Sequence, residues 1–238
     1  MAGGYYTALS GMRTRMDALD RLASDIANAG TTGFKPERAG TAEARRPSFD
    51  AALEAAVDVA NGRPRIDLRP GALAPTGRSL DIAIEGKGFL VVDTPRGVRY
   101  TRNGHLTRRA DGVLAGEDGA AVQGANGPIR LGDGEPTIDA DGTVRSGGAV
   151  VARLRIVDFD PKAELLRDAG SMFRTDAKPL PVANPVVTSG SLEQSNVSIV
   201  ERVAELTDVS QGFQALLKAV SVLMNDVDRG AINELGRR

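Results

Sequence analysis

The chain has 238 residues, with 30 Lys+Arg against 31 Asp+Glu, so its charge balance points to no nucleic-acid groove and no basic membrane patch. Cysteine is absent, which excludes disulfides, thiolate metal sites and a thiol nucleophile. Trp is absent too and Gly numbers 28, favouring tight turns over a dense aromatic core; no stretch approaches the ~20 apolar residues of a membrane span.

The first predicted element fills most of residues 4–35. Tyr5, Leu9, Met12, Met16, Leu19, Ala23 and Ile26 fall at alternating steps of four and three, the seam of a helix that lies along another helix. The helix is expected to stop at Asn28-Ala29-Gly30, with Gly supplying the left-handed residue. No charged leader or apolar run marks a signal peptide, so export, if it occurs, is expected without signal cleavage.

Residues 36–78 read as a linker with a short helix, Phe49 to Ala60, capped by Ser48 and closed by Asn61-Gly62. Pro64, Pro70 and Pro75 keep the remainder extended. A β domain is predicted over 79–177. Leu80, Ile82 and Ile84 alternate with polar or small residues, and Phe89 to Val92 is a buried run. Turn signals then recur at Asn103-Gly104, Asp111-Gly112, Asp118-Gly119, Asn126-Gly127, Asp133-Gly134 and Asp141-Gly142, spaced 8, 7, 8, 7 and 8. Such pairs favour tight hairpins in which both central residues have positive φ. Leu154 to Phe159 adds a further strand, and 178–195 reads as a return linker.

The last segment, 196–238, is a second helix. Ile199, Val203, Leu206, Ser210, Phe213, Leu217, Val220, Met224 and Val227 repeat the first seam, and Val209, Leu216 and Leu223 add a line beside it. Ser198 and Glu201 form a capping box. The expected fold is mainly β with long terminal α-helices that pair as a coiled-coil-like stalk around an inserted antiparallel β domain. Each seam is expected to find its partner in the other.

Constellations of chemistry are weak. Asp139-Ala-Asp141-Gly142 lacks the remaining calcium-loop ligands. Gly86-Lys87-Gly88 lacks the rest of a phosphate-binding loop. His105, the single histidine, reads as an exposed turn residue and cannot supply a multi-His metal site. No G-x-S-x-G elbow accompanies it. Asp158 and Asp160 read as a solvated strand end. No enzyme activity, cofactor, metal or small-molecule substrate is expected.

Three separated segments resemble the flagellar basal-body rod and hook protein family. They are TALSGMRTRMDALDRLASDIANAGTTGFK, with the motif Ala27-Asn28 then Thr32-Gly33-Phe34-Lys35; GALAPTGRSLDIAIEGKGFLVV with RYTRNGHLTRRADGVL; and SGSLEQSNVSIVERVAELTD. Asp25 departs from the family's usual Asn, and Ala29-Gly30 from its commoner Asn or Val-Asn. The start GGYYTALSGM and the ending AINELGRR look more like proximal-rod members than distal ones.

The resemblance implies export by the flagellar type III apparatus and polymerisation into the axial shaft of the basal body, across the periplasm. The implied partners are further copies of the chain and neighbouring rod proteins, with no nucleic acid and no membrane insertion. The seam residues Leu9, Met12, Met16, Leu19, Ile26, Leu206, Phe213, Leu217, Val220 and Met224 are the expected polymerisation interface. Phe34 is expected to anchor the turn under the β domain. A distal-rod member, a coiled-coil binding module and a hydrolase using His105 are the competing readings.

Overall fold

The strand Phe89–Thr94 lies between two apolar clusters, and its sequence explains why. Successive side chains in a strand point to opposite faces. Phe89 and Val91 therefore join an aromatic cluster with Tyr100, Val157, Phe159 and Phe173. Leu90 and Val92 join an aliphatic one with Ile82, Leu106, Leu114, Val122 and Ile156. A strand buried on both faces reads as a continuous apolar run. The rings meet edge-on or tilted: Tyr100 and Phe159 at 4.7 Å, Phe89 and Phe173 at 5.7 Å.

The computed structural model describes residues 2–38, 65–168 and 170–235. The architecture is mainly β, with short antiparallel strands and, among the described residues, two α-helices. The chain divides into two units. One comprises 1–27, 37–64 and 198–238; the other, the β unit, comprises 28–36 and 65–197.

The main sheet of the β unit has ten strands. Its path runs Leu166–Arg167, Met172–Arg174, Gly97–Thr101, Phe89–Thr94, Ala121–Gly124, Leu114–Gly116 and Leu106–Arg108. Pro136–Ile138, Thr143–Ser146 and Ala149–Arg153 form a separate three-stranded sheet. In Ile82–Glu85 the alternation does not separate two faces by exposure: Ile82, Ala83 and Ile84 are all buried.

The segments read as linkers are not loops throughout. Leu180–Pro181, Val186–Ser189 and Ser191–Glu193 are strands within 178–195. Val186–Ser189 pairs with Ile82–Glu85, and Ser191–Glu193 with Leu73–Pro75 in the upstream linker. Pro75 and Pro181 each end a short strand and face Ser191 and Val157 across the ladder, so the Pro-rich composition did not reveal the strands. The short helix expected over 49–60 lies outside the described residues.

Four of the six turn signals join paired strands: Asp111-Gly112, Asp118-Gly119, Asn126-Gly127 and Asp141-Gly142. Their geometry differs from the expectation, because only the Gly has positive φ. The Asp residues instead accept a hydrogen bond from the amide two residues on, as Asp111 does from Val113 and Asp141 from Thr143. Asn103-Gly104 makes no hairpin. Gly104 packs so closely on Ile82 that a Cβ there would lie 1.7 Å from the Ile82 carbonyl oxygen.

In the first unit, α1 (Ala2–Ala27) and α2 (Ile199–Leu235) pack on each other. Asp25 faces Arg202 at 3.5 Å. A Cβ on Gly212 would lie 3.1 Å from Arg15 Nε, and one on Gly11 3.7 Å from Leu216 Cδ1. Contacts thus advance along α1 as they retreat along α2, so the helices are antiparallel. At the start of α2, Ser198 Oγ accepts from the Glu201 amide at 3.5 Å, one half of the capping box.

Candidate functional site

Several close contacts between the helices fall at residues beside the predicted seams. Gly11, Arg15 and Asp25 face α2; Met12, Met16 and Ile26 each follow one of them by one residue. At 3.6 residues per turn that is about 100° around the helix. On α2 the contacts fall at Arg202, Gly212 and Leu216, and Phe213 and Leu217 are again one residue further on. Small and charged residues, with Leu216 from the secondary apolar line, thus take part in the helix contact.

The seams stay partly open. Met16 is 54% exposed, Leu217 43% and Leu9 41%. Met12, Leu19, Ile26, Leu206, Phe213 and Val220 are half-buried. The side chain of Met224 lies outside the described residues.

The family-motif residues converge elsewhere, at a buried junction within the β unit. After α1 ends at Ala27, the Asn28 carbonyl accepts from the Thr31 amide at 3.0 Å, and Thr32 follows half-buried. Gly33, rather than Gly30, is the left-handed residue, with φ 67°. A Cβ on Gly33 would lie 2.4 Å from backbone atoms of Arg102 and Asn103. Phe34 is buried, with the Arg167 guanidinium 4.1 Å above its ring. Arg167 also donates to the Lys35 carbonyl at 2.6 Å.

Lys35 itself is fully buried and donates to Glu193 Oε1 and to the Arg69 carbonyl, each at 2.7 Å. Arg102 donates to Glu193 Oε2 at 3.0 Å and also to the Gly86 carbonyl. The Gly71 amide donates to Glu193 Oε1 at 2.9 Å, and the Gly33 amide to the main-chain oxygen of Glu193 at 2.7 Å. One carboxylate thus serves two buried cations, the Arg69 and Gly86 carbonyls each take one further donor, and Arg102 Nε is buried without a hydrogen-bond partner. Burial pushes the Glu193 carboxyl up, but Lys35, Arg102 and the Gly71 amide together hold it below its ordinary 4.5. Burial pulls Lys35 below its ordinary 10.5, aided by Arg102 and against the pull of Glu193. The cation-rich cluster places its cost on the lysine.

Neither Arg102 nor Glu193 stood out in the sequence as a site. Their only signal was membership of the resembling segments RYTRNGH and SGSLEQSN. His105 is not an exposed turn residue: it bridges to Asp81, and its Nδ1 lies 2.9 Å from the Asp81 carboxylate. A cleft of about 260 Å³ in the β unit is lined by Thr31, Thr101, Asn103, Glu117, Asp118 and Met172, among others. Its polar groups serve the fold: Thr101 donates to the Ser171 carbonyl, and Asn103 accepts from the His105 amide. Asp139 pairs with Arg145 at 2.7 Å. Among the described residues no three His, Cys, Asp or Glu side chains converge as a metal site, and no helix is long and apolar enough to cross a membrane.

Two measurements check this junction. Gly33→Ala should lower stability by about 3 kcal/mol or more, through both φ and the backbone approach, whereas Gly30→Ala should change it by less than about 0.5 kcal/mol. Thermal denaturation compares them, since nothing lies within 4 Å of a Cβ at Gly30. The second is acid stability. Because Glu193 is lowered on folding, its stabilisation is complete above about pH 4.5 and is lost as pH falls through the lower folded value. Urea unfolding across that window should show a shallower decline in Glu193→Gln than in the parent; parallel profiles would exclude this assignment.

Comparison with known proteins agrees with both regions. Residues 83–146 match the family model for the flagellar hook protein FlgE/F/G D1 domain, and 188–225 that for the flagellar basal body rod FlgEFG protein C-terminal region. The chain is 33% identical to the flagellar basal-body rod protein FlgF of Rhizobium meliloti over 99% of each. It is 31% identical to FlgF of Caulobacter vibrioides over 100% of this chain and 99% of that one. FlgG of Bacillus subtilis is 27% identical over 93% of this chain and 95% of its own. The chain belongs to the flagellar basal-body rod and hook protein family, a family of structural proteins rather than enzymes.

Proposed function

We propose that the chain is a structural subunit of the proximal segment of the flagellar basal-body rod, polymerised through the seams of α1 and α2. The higher identity to two FlgF proteins than to an FlgG supports the proximal assignment. The observation that carries polymerisation is the exposure of large apolar seam residues on two helices that already pack together. Leu9, Met16, Val203 and Leu217 all remain well exposed on helices that already touch.

A fully buried Leu or Met side chain contributes about 1.5–3 kcal/mol, so neighbouring copies gain substantially by covering these ribs. That gain must exceed about 1–2 kcal/mol for each residue ordered on assembly. The α1–α2 pair then acts as one coiled-coil-like stalk element whose outer ribs meet other copies. Contacts between different faces do not close on themselves and generate a helical tube. The β unit forms the outer layer of the shaft. The absence of cysteine suits passage of an unfolded chain through an export channel. Neighbouring rod proteins and the flagellar export apparatus are the remaining partners.

A Leu9→Glu/Met16→Glu variant, replacing the parent in its own organism, tests this reading. It should leave the melting of the β unit unchanged but abolish swimming, with basal bodies that lack a completed rod. Normal swimming would overturn the assignment of the seam.

A further inference from the structure

The strongest unassigned feature is the way one carboxylate ties together segments far apart in the chain. The two stretches through which the chain enters and leaves the β unit are 31–36 and 191–197. Both meet at Glu193. It receives Lys35 and the Gly33 amide from the first stretch, lies in the second, and takes the Gly71 amide and Arg102 from the body of the unit.

Beyond the carboxylate the entry stretch is held without a strand ladder, by the Arg69 carbonyl that accepts from Lys35 and by Arg167, which donates to the Lys35 carbonyl. Phe34 belongs to neither apolar cluster and is held under the cation of Arg167. The Pro36 carbonyl accepts from the Asp67 amide at 2.9 Å. The exit stretch is held independently, by its ladder with Leu73–Pro75 and by Asn196, whose amide donates to the Asp67 and Arg69 carbonyls. Removing the carboxylate charge therefore affects the two stretches unequally. It leaves Lys35 and Arg102 as buried cations facing each other, which favours opening of the one on the weakly held stretch.

We infer that Glu193 is a positioning residue for assembly, an ionic latch that fastens the stretch following α1 to the stretch preceding α2 within the β unit. Loss of the latch frees 31–36 while the strands on either side of Phe89–Thr94 stay closed. The link to assembly rests on the proposed rod function; the latch itself does not.

The test uses the full-length chain carrying Glu193→Gln, and separately Lys35→Met. The second leaves Glu193 paired one-to-one with Arg102 and guards against failure of the first to fold. Amide hydrogen exchange should accelerate at least tenfold at Gly33 and Phe34 in both variants, with Leu90 to Val92 unchanged. In cells, both variants should be exported at parental levels while rod completion falls at least fivefold. Uniform acceleration across the β unit, or unchanged exchange at Gly33 and Phe34, would overturn the latch. Released entry amides with undiminished rod completion would overturn its role in positioning. Absence of the parental chain from purified basal bodies would instead sink the rod reading, whatever the exchange data show.

Discussion

A buried carboxylate shared by two buried cations is the constraint on which the β unit depends. Breaking a buried pair by removing one partner costs about 3–5 kcal/mol, because the remaining charge is stranded away from water. Lys35 and Arg102 cannot both stay buried at the junction without Glu193 in place. Glu193 in turn needs Ser191–Glu193 laid along Leu73–Pro75. Residues 158 positions apart in the chain are thereby committed to one geometry. The aromatic and aliphatic clusters supply the bulk of the apolar burial, but the junction decides how the chain's ends enter that framework.

The helical unit follows a different logic. Antiparallel packing of α1 and α2 uses Gly11 and Gly212 to bring backbone and arginine stem together, and Asp25 with Arg202 to close one end. That solution brings small and charged residues, with Leu216, into the contact and leaves Leu9, Met16 and Leu217 well exposed. In a protein that ended at the monomer such ribs would be a liability. In the rod proposed above they are the surface assigned to contacts with further copies. The β unit is thus satisfied within one chain, while the helices are only partly so.

Much of this was legible in the sequence. The alternation of Phe89 to Val92, the spaced Asp-Gly signals and the α2 cap each follow from short-range chemistry. The family resemblance rested on three segments, and all three meet at the junction or flank it. The missed parts have physical reasons. Val186–Ser189 and Ser191–Glu193 lie beside prolines, and composition cannot tell an edge-paired strand from a loop. Gly33 rather than Gly30 takes the left-handed conformation because Arg102 and Asn103 press on it, a contact made from across the β unit. The seams were readable as apolar ribs, yet periodicity counts apolar residues and is blind to glycine. It therefore missed that Gly11 and Gly212 lie where the helices approach each other. Glu193 is one acid among many until its partners are brought to it.

The central claim is that the ribs are open in the single chain and covered in the rod. The cysteine-free sequence allows a direct test with single-cysteine variants at Met16 and Leu217 and a water-soluble maleimide. The account predicts rapid labelling of both positions in the purified monomer and at least tenfold protection in isolated basal bodies. Equal labelling rates in the two states would contradict it.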